Sequence, residues 1–302
     1  VILLGKPEVT YGGQAVIEGV MMRGPEAWAV AVRRPDNSIV VRREPLRALS
    51  SSGIWRRPLF RGMAVLYEAL VIGIQALSYS AEQAVGEEER PVGRWEIAAT
   101  VFLGIVLAVF LFAIIPAGLA YLARGAVSSG ASQNLLEGLV RLGVFLLYIV
   151  LVGLIPDIRR VFAYHGAEHR VINAYEAGAA LTIEGVRGYP VLHPRCGTSF
   201  ILVVLLLSIL IFSFLGQEPL WWRLLSRVLF LPLIAGISYE FIKLAARKQG
   251  NAFCQFLVAP GLWLQRLTTR EPDDAQVAVA LAALDAVLVK EGDPGAGKVG
   301  QD

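Results

Sequence analysis

Residues 97–123 read IAATVFLGIVLAVFLFAIIPAGLAYLA, an uncharged run closed by Glu96 on one side and Arg124 on the other. A helix of about 20 residues crosses the hydrocarbon core of a bilayer, so this run predicts a membrane-spanning helix. Further along the chain, Leu135 to Pro156 predicts a second span. Its Glu137 and Arg141 fall in the first two turns, where long side chains can reach the headgroups. Thr198 to Leu215 predicts a third span. A fourth runs from Leu224 to Leu244, with Arg227 near its start and Glu240 and Lys243 near its end. No charge then lies at the centre of any span, which disfavours an ion transporter.

Composition points the same way. Of 302 residues, 55% are hydrophobic and 18% charged, and the mean hydropathy is +0.57. The formal charge of +3 is small and dispersed, which argues against a nucleic-acid binder. Two cysteines, Cys196 and Cys254, make no disulfide framework. The apolar run Val1 to Leu4 is too short for the core of a secretory signal.

An even number of spans puts both termini on one side. Lys and Arg number twelve in residues 1–94, five in 157–197 and seven in 243–302, against four elsewhere. That bias predicts cytoplasmic termini and a cytoplasmic central loop. The expectation is a polytopic α-helical protein of the cell membrane, with about four transmembrane helices and a small cytoplasmic α+β portion containing an N-terminal β-hairpin. Its parts are a hairpin and amphipathic helix in 1–94, a four-helix membrane domain with cytoplasmic loop 157–197 in 95–246, and interfacial and C-terminal helices in 247–302.

Within the first part, Ala27 to Val32 and Ser38 to Val41 are β-prone runs around a turn nucleated by Pro35 and Asp36. A strand around Gln14 to Val20 could join them, and Tyr11 to Gln14 reads as a turn. Gly62 to Val85 carries Met63, Leu66, Leu70, Ile74 and Leu77 at helical spacing, a stripe for the membrane or for the sheet, or a fifth, tilted span. Glu18 and Glu68 sit among apolar residues and need partners such as Arg23, Arg61 or a metal. Glu87 to Glu89 read as a solvated turn. Asn251 to Leu264 reads as interfacial with Trp263 as anchor, Ala259 to Trp263 as a turn restarting that helix, and Cys254 as a core residue. Glu271 to Val289 reads as an amphipathic helix with Asp273 and Asp274 at its N-terminus, and the tail beyond Gly292 as disordered.

All three histidines, His165, His169 and His193, fall in the central loop. On a helix, His165 and His169 leave the same face one turn apart and can share a metal. With Glu168 they spell His-x-x-Glu-His, the inverted zinc-peptidase order, in which two histidines hold Zn and the Glu takes a proton from water. A third ligand by position would be Glu176, Glu184 or Glu240. A second reading adds His193 and Cys196 to make a closed four-ligand set, which would be structural. A third has the histidines at a polar interface and Cys196 packed as a small apolar residue. Spacing alone leaves all three open.

Several segments together resemble a known group: Gly12-Gly13-Gln14-Ala15-Val16-Ile17-Glu18-Gly19-Val20-Met21-Met22-Arg23, Arg61-Gly62, Tyr164-His165-Gly166-Ala167-Glu168-His169, His193-Pro194-Arg195-Cys196-Gly197-Thr198, and the stretch from Ala259 to Pro272. The chain resembles the YqhQ-like family of bacterial membrane proteins over nearly its whole length. That family is described as predicted metal-dependent enzymes of unknown function. The resemblance implies a bacterial membrane protein in which His165, Glu168, His169, His193 and Cys196 are the matching positions.

The expectation for function is therefore a metal-dependent hydrolase at the cytoplasmic face. Zn would be held by His165 and His169 with His193 or Cys196, and Glu168 would be the catalytic base. Its partners would be the lipid bilayer and a peptide or lipid-linked substrate, with no nucleic acid. The rival is a non-enzymatic factor that binds other membrane proteins, with a structural His and Cys site.

Overall fold

The computed structural model describes residues 11–46, 49, 53–85, 93–125, 130–214, 220–247 and 252–288. The expectations for Val1 to Leu4, for Glu87 to Glu89 and for the tail beyond Gly292 lie outside these residues, as does that for the Cys254 side chain.

Strands β1 (Gly12–Val16), β2 (Gly19–Arg23), β3 (Ala27–Arg33) and β4 (Ile39–Pro45) form one antiparallel sheet in chain order. The single strand expected around Gln14 to Val20 is two strands. Glu18 takes a left-handed conformation, φ 51°, and folds the chain so that Val16 pairs with Gly19. Tyr11 to Gln14 is accordingly the entry to β1 and not a turn. The β3–β4 turn forms as Pro35 and Asp36 suggest. Asp36 accepts from both the amide and the hydroxyl of Ser38, and those bonds hold its carboxyl below the ordinary range.

One face of the sheet packs on α1 (Phe60–Ala84). Besides Glu68, the buried residues of α1 are Ile72 and the small Gly62, Ala64, Gly73, Ala76 and Ser80; Ile72 and Ala76 pack on the sheet, while Gly62 faces Gly236 and Tyr239. Leu70, Ile74 and Leu77 of the expected stripe are exposed instead. Small side chains bring a helix close to a sheet, and close packing is what fills the interior. The opposite face is covered by α5 (Pro156–Glu176) and α10 (Asp274–Val287), where Val20, Met22, Ala29 and Ala31 meet Tyr164, Ala167, Val171, Val277, Ala280 and Leu284. Asp273 caps α10, reciprocated by Gln276. The C-terminal helix thus completes the N-terminal sheet.

The apolar elements are α2 (Arg94–Val109), which continues through a π-helical stretch, Phe110–Ile114, into α3 (Ile115–Leu122), then α4 (Gly130–Val152), α7 (Gly197–Ser213), α8 (Leu220–Arg247) and α9 (Ala252–Thr268). Among the described residues, four helical segments are long and apolar enough to cross a membrane: Phe60–Ala84, Ala98–Leu122, Gly130–Val152 and Leu225–Ala245. The expected set differs in one member. Gly197–Ser213 is apolar but shorter, and α1 qualifies in its place.

Three expectations need correction. Glu137 does not reach outward; it is 1% exposed and accepts from Arg141 of its own helix and Arg227 of α8. Because α4 begins at Gly130, Arg141 lies midway along it, so a charge does sit at the centre of a membrane-capable helix. Ala259 to Trp263 is no turn, since α9 runs through Pro260. The helix packs closely on α7 there, where a Cβ on Gly261 would lie 2.5 Å from the Ser199 hydroxyl.

Candidate metal centre

The sequence from Pro156 starts α5 with a proline in its first turn and continues helically past both histidines. His165 and His169 therefore share a face, with ring centroids 4.3 Å apart. Facing them is Cys196, the N-cap of α7, whose sulfur accepts the Thr198 amide. The ligand atoms of His165, His169 and Cys196 all lie within 4.8 Å of one another.

Hydrogen bonds fix the tautomers. His165 donates from Nδ1 to the Thr268 carbonyl and His169 from Nδ1 to the Val191 carbonyl, each at 2.8 Å. A neutral imidazole that donates from Nδ1 keeps a lone pair on Nε2. The His165 Nε2 lies 3.2 Å from the Cys196 sulfur, and the His169 ring also meets that thiol. Burial holds His169 below the usual histidine range, in the neutral form that ligates.

The surrounding frame is built from distant parts of the chain. Asn173, one turn beyond His169, donates to the carbonyls of Pro190 and Leu192, which presents the intervening Val191 carbonyl to His169. Gln265 of α9 accepts the His193 amide at 2.9 Å and donates to the His193 carbonyl at 2.8 Å and to Ser199. None of these residues carries a sequence signal of its own.

Glu168 lies on the side of α5 that meets β1. It is 4% exposed, and one of its carboxylate oxygens, Oε2, has no hydrogen-bond partner. Burial pushes its carboxyl up to about 7, while the charges of His165 and His193 and the Gly13 amide oppose the rise. Gly13 has to be glycine here, because a Cβ would lie 2.5 Å from the Met21 carbonyl and 3.0 Å from the Glu168 side chain. His193 is 3% exposed, its ring centroid is 5.8 Å from that of His169, and its Nε2 makes no hydrogen bond. Burial pushes His193 down to about 4.

The candidate third ligands lie apart from the His165, His169 and Cys196 group. Glu176 pairs with Arg195 and stands 3.6 Å from His193 Nε2, Glu184 is exposed on α6 (Ile183–Val186), and Glu240 pairs with Arg61. Glu18 and Glu68 find guanidinium partners. Glu68 takes Arg23 as expected, while Glu18 takes Arg160, with Tyr164 also donating to it.

A family model described as a protein of unknown function (DUF1385) matches residues 57–290. The uncharacterized protein YqhQ of Bacillus subtilis (strain 168) is 36% identical over 292 residues, covering 92% of each chain. No solved structure matches.

Proposed function

The chain belongs to the DUF1385 family of proteins of unknown function, and we propose that it is a membrane-bound, metal-dependent hydrolase. The observation that carries this is the pair of imidazoles whose Nδ1 atoms are both engaged by main-chain carbonyls, leaving both Nε2 atoms turned to the Cys196 thiol. Such a donor set, with its outer hydrogen bonds, would suit a three-ligand zinc site whose fourth position takes water. His165 Nε2, His169 Nε2 and Cys196 Sγ would hold the ion. A bound Zn supplies Lewis acidity that brings water towards a pKa of about 7.

The remaining chemistry belongs to the protein. Glu168, on the same turn as His169, takes the proton of the attacking water at Oε2 and returns it to the leaving group. The net change is H and OH added across one broken acyl bond. Burial of the centre excludes bulk water and strengthens these interactions.

The Lys and Arg distribution supports a cytoplasmic position for the centre and the termini in a bacterial plasma membrane. The middle of α1 packs on a sheet whose outer strand carries Arg42, Arg43 and Glu44, which supports α1 lying along the membrane and not across it, with the 17-residue α7 as the fourth span. A second reading, a structural site in a factor that binds other membrane proteins, draws on the unpartnered Nε2 of His193 as a fourth ligand.

Metal analysis of full-length protein purified in detergent without chelator tests the proposal. About one Zn per chain is expected, lost in the His165→Ala, His169→Ala double variant. A wild-type protein that is metal-free and rebinds none overturns it.

A further inference from the structure

The sheet ends at β1, whose outer edge no described strand covers. Antiparallel pairing turns alternate residues of an edge strand outward. The Gly13 amide meets Glu168 and not β2, so the outward-turned residues are Gly13 and Ala15. Among the described residues this leaves the Gly13 carbonyl and both main-chain groups of Ala15 unpaired along the edge. Gly12, Gly13 and Gln14 are exposed, and a Cβ on Gly12 would meet nothing within 4 Å. Apart from the Glu168 side chain at Gly13, this row of free donors and acceptors is complementary to another polypeptide backbone.

The edge also runs past the chemistry. Gly13 touches Glu168, whose Oε2 is buried and makes no hydrogen bond. An orphaned carboxylate oxygen beside an unpaired strand edge marks a place where a ligand's polar group belongs.

We propose that the substrate is an extended polypeptide, which adds to the free edge of β1 by main-chain pairing with Gly13 and Ala15 and so passes a scissile amide across Glu168. This rests on the hydrolase reading. The bond broken is the amide C–N; the carbonyl carbon gains hydroxyl from water, and the amine leaves with the proton that Glu168 carried. Lipid-linked substrates without a peptide backbone do not satisfy the edge.

The test uses full-length, Zn-loaded protein in detergent and a fluorescent degenerate decapeptide pool, alongside the same pool with alternate amides N-methylated. We expect the methylated pool to bind about tenfold more weakly, the loss of one or two hydrogen bonds. Ala15→Pro removes an outward amide while leaving the inward bonds of β1 intact, and should lose peptide binding to a similar degree with Zn content unchanged. Glu168→Gln should bind the pool as the wild type does and cleave none of it. Equal binding of the two pools, or no binding by the wild type, overturns the strand-pairing proposal, and if Ala15→Pro fails to fold the methylated pool decides alone. Pairing by these criteria without cleavage by the wild type leaves strand addition standing and sinks the hydrolase.

Discussion

Arg141, midway along α4, donates from Nε to the main-chain carbonyl of Phe112 at 2.8 Å. Phe112 lies in the π-helical stretch between α2 and α3, where the regular ladder is broken and a carbonyl is available to a side chain. The same guanidinium meets Glu137 at 2.8 Å, and Arg227 of α8 meets the same carboxylate oxygen at 2.6 Å. One buried carboxylate thus ties together three apolar segments.

Removing that carboxylate leaves two guanidiniums facing each other in an apolar setting. Glu137→Leu should lower stability by roughly 3–5 kcal/mol, the usual cost of breaking a buried pair from one side. Thermal melting in detergent reads this directly. A melting temperature within a degree or two of wild type would show that the three segments are held by packing alone.

Cys196 can be examined by its sulfur. In Co-substituted protein a thiolate ligand gives an intense charge-transfer band in the near ultraviolet, and Cys196→Ser should abolish it. If the band is absent from the wild type, Cys196 is no ligand, and the donor set must be redrawn around His193.

The outer hydrogen bonds should matter almost as much as the ligands. Asn173→Leu frees the Pro190 and Leu192 carbonyls, so the Val191 carbonyl loses its place beside His169. Metal affinity should fall about 10–100-fold, the range typical of such partners. Titration with a chromophoric chelator measures it, and unchanged affinity would mean that His169 keeps its orientation without the Asn173 clamp.

Gly13→Ala places a methyl against the Met21 carbonyl and Glu168. The strand must shift or Glu168 must move away. We expect metal content to be retained and hydrolytic turnover to fall by at least about tenfold, the scale of a misplaced catalytic group. Full activity in this variant would place the working carboxylate elsewhere.

The His-x-x-Glu-His face was legible because helical spacing converts sequence distance directly into geometry. The side chains that orient it were not, since Asn173 and Gln265 act on main-chain carbonyls and amides of a segment with no periodicity. For the same reason nothing marked Thr268, which contributes only its carbonyl to His165. The apolar stripe of α1 was read correctly as a stripe and wrongly as a candidate for sheet contact, because hydrophobic periodicity weighs Leu and Ile and not the Gly, Ala and Ser that fit against strands. At Glu18 a β-prone run concealed a tight turn, since a left-handed residue other than glycine or asparagine leaves no compositional trace.

The acceptor for His165 lies 103 residues further along the chain than the histidine itself. On a ribosome that interval encompasses α7, α8 and α9, so the imidazole acquires its fixed tautomer only when nearly all the apolar helices have been synthesised. A nascent chain halted before Thr268 would leave the His165 ring without its acceptor, and it would lack α10, which closes the sheet. Assembly of the His and Cys group is in this sense a late event of biogenesis, completed only after nearly all the apolar helices have been made.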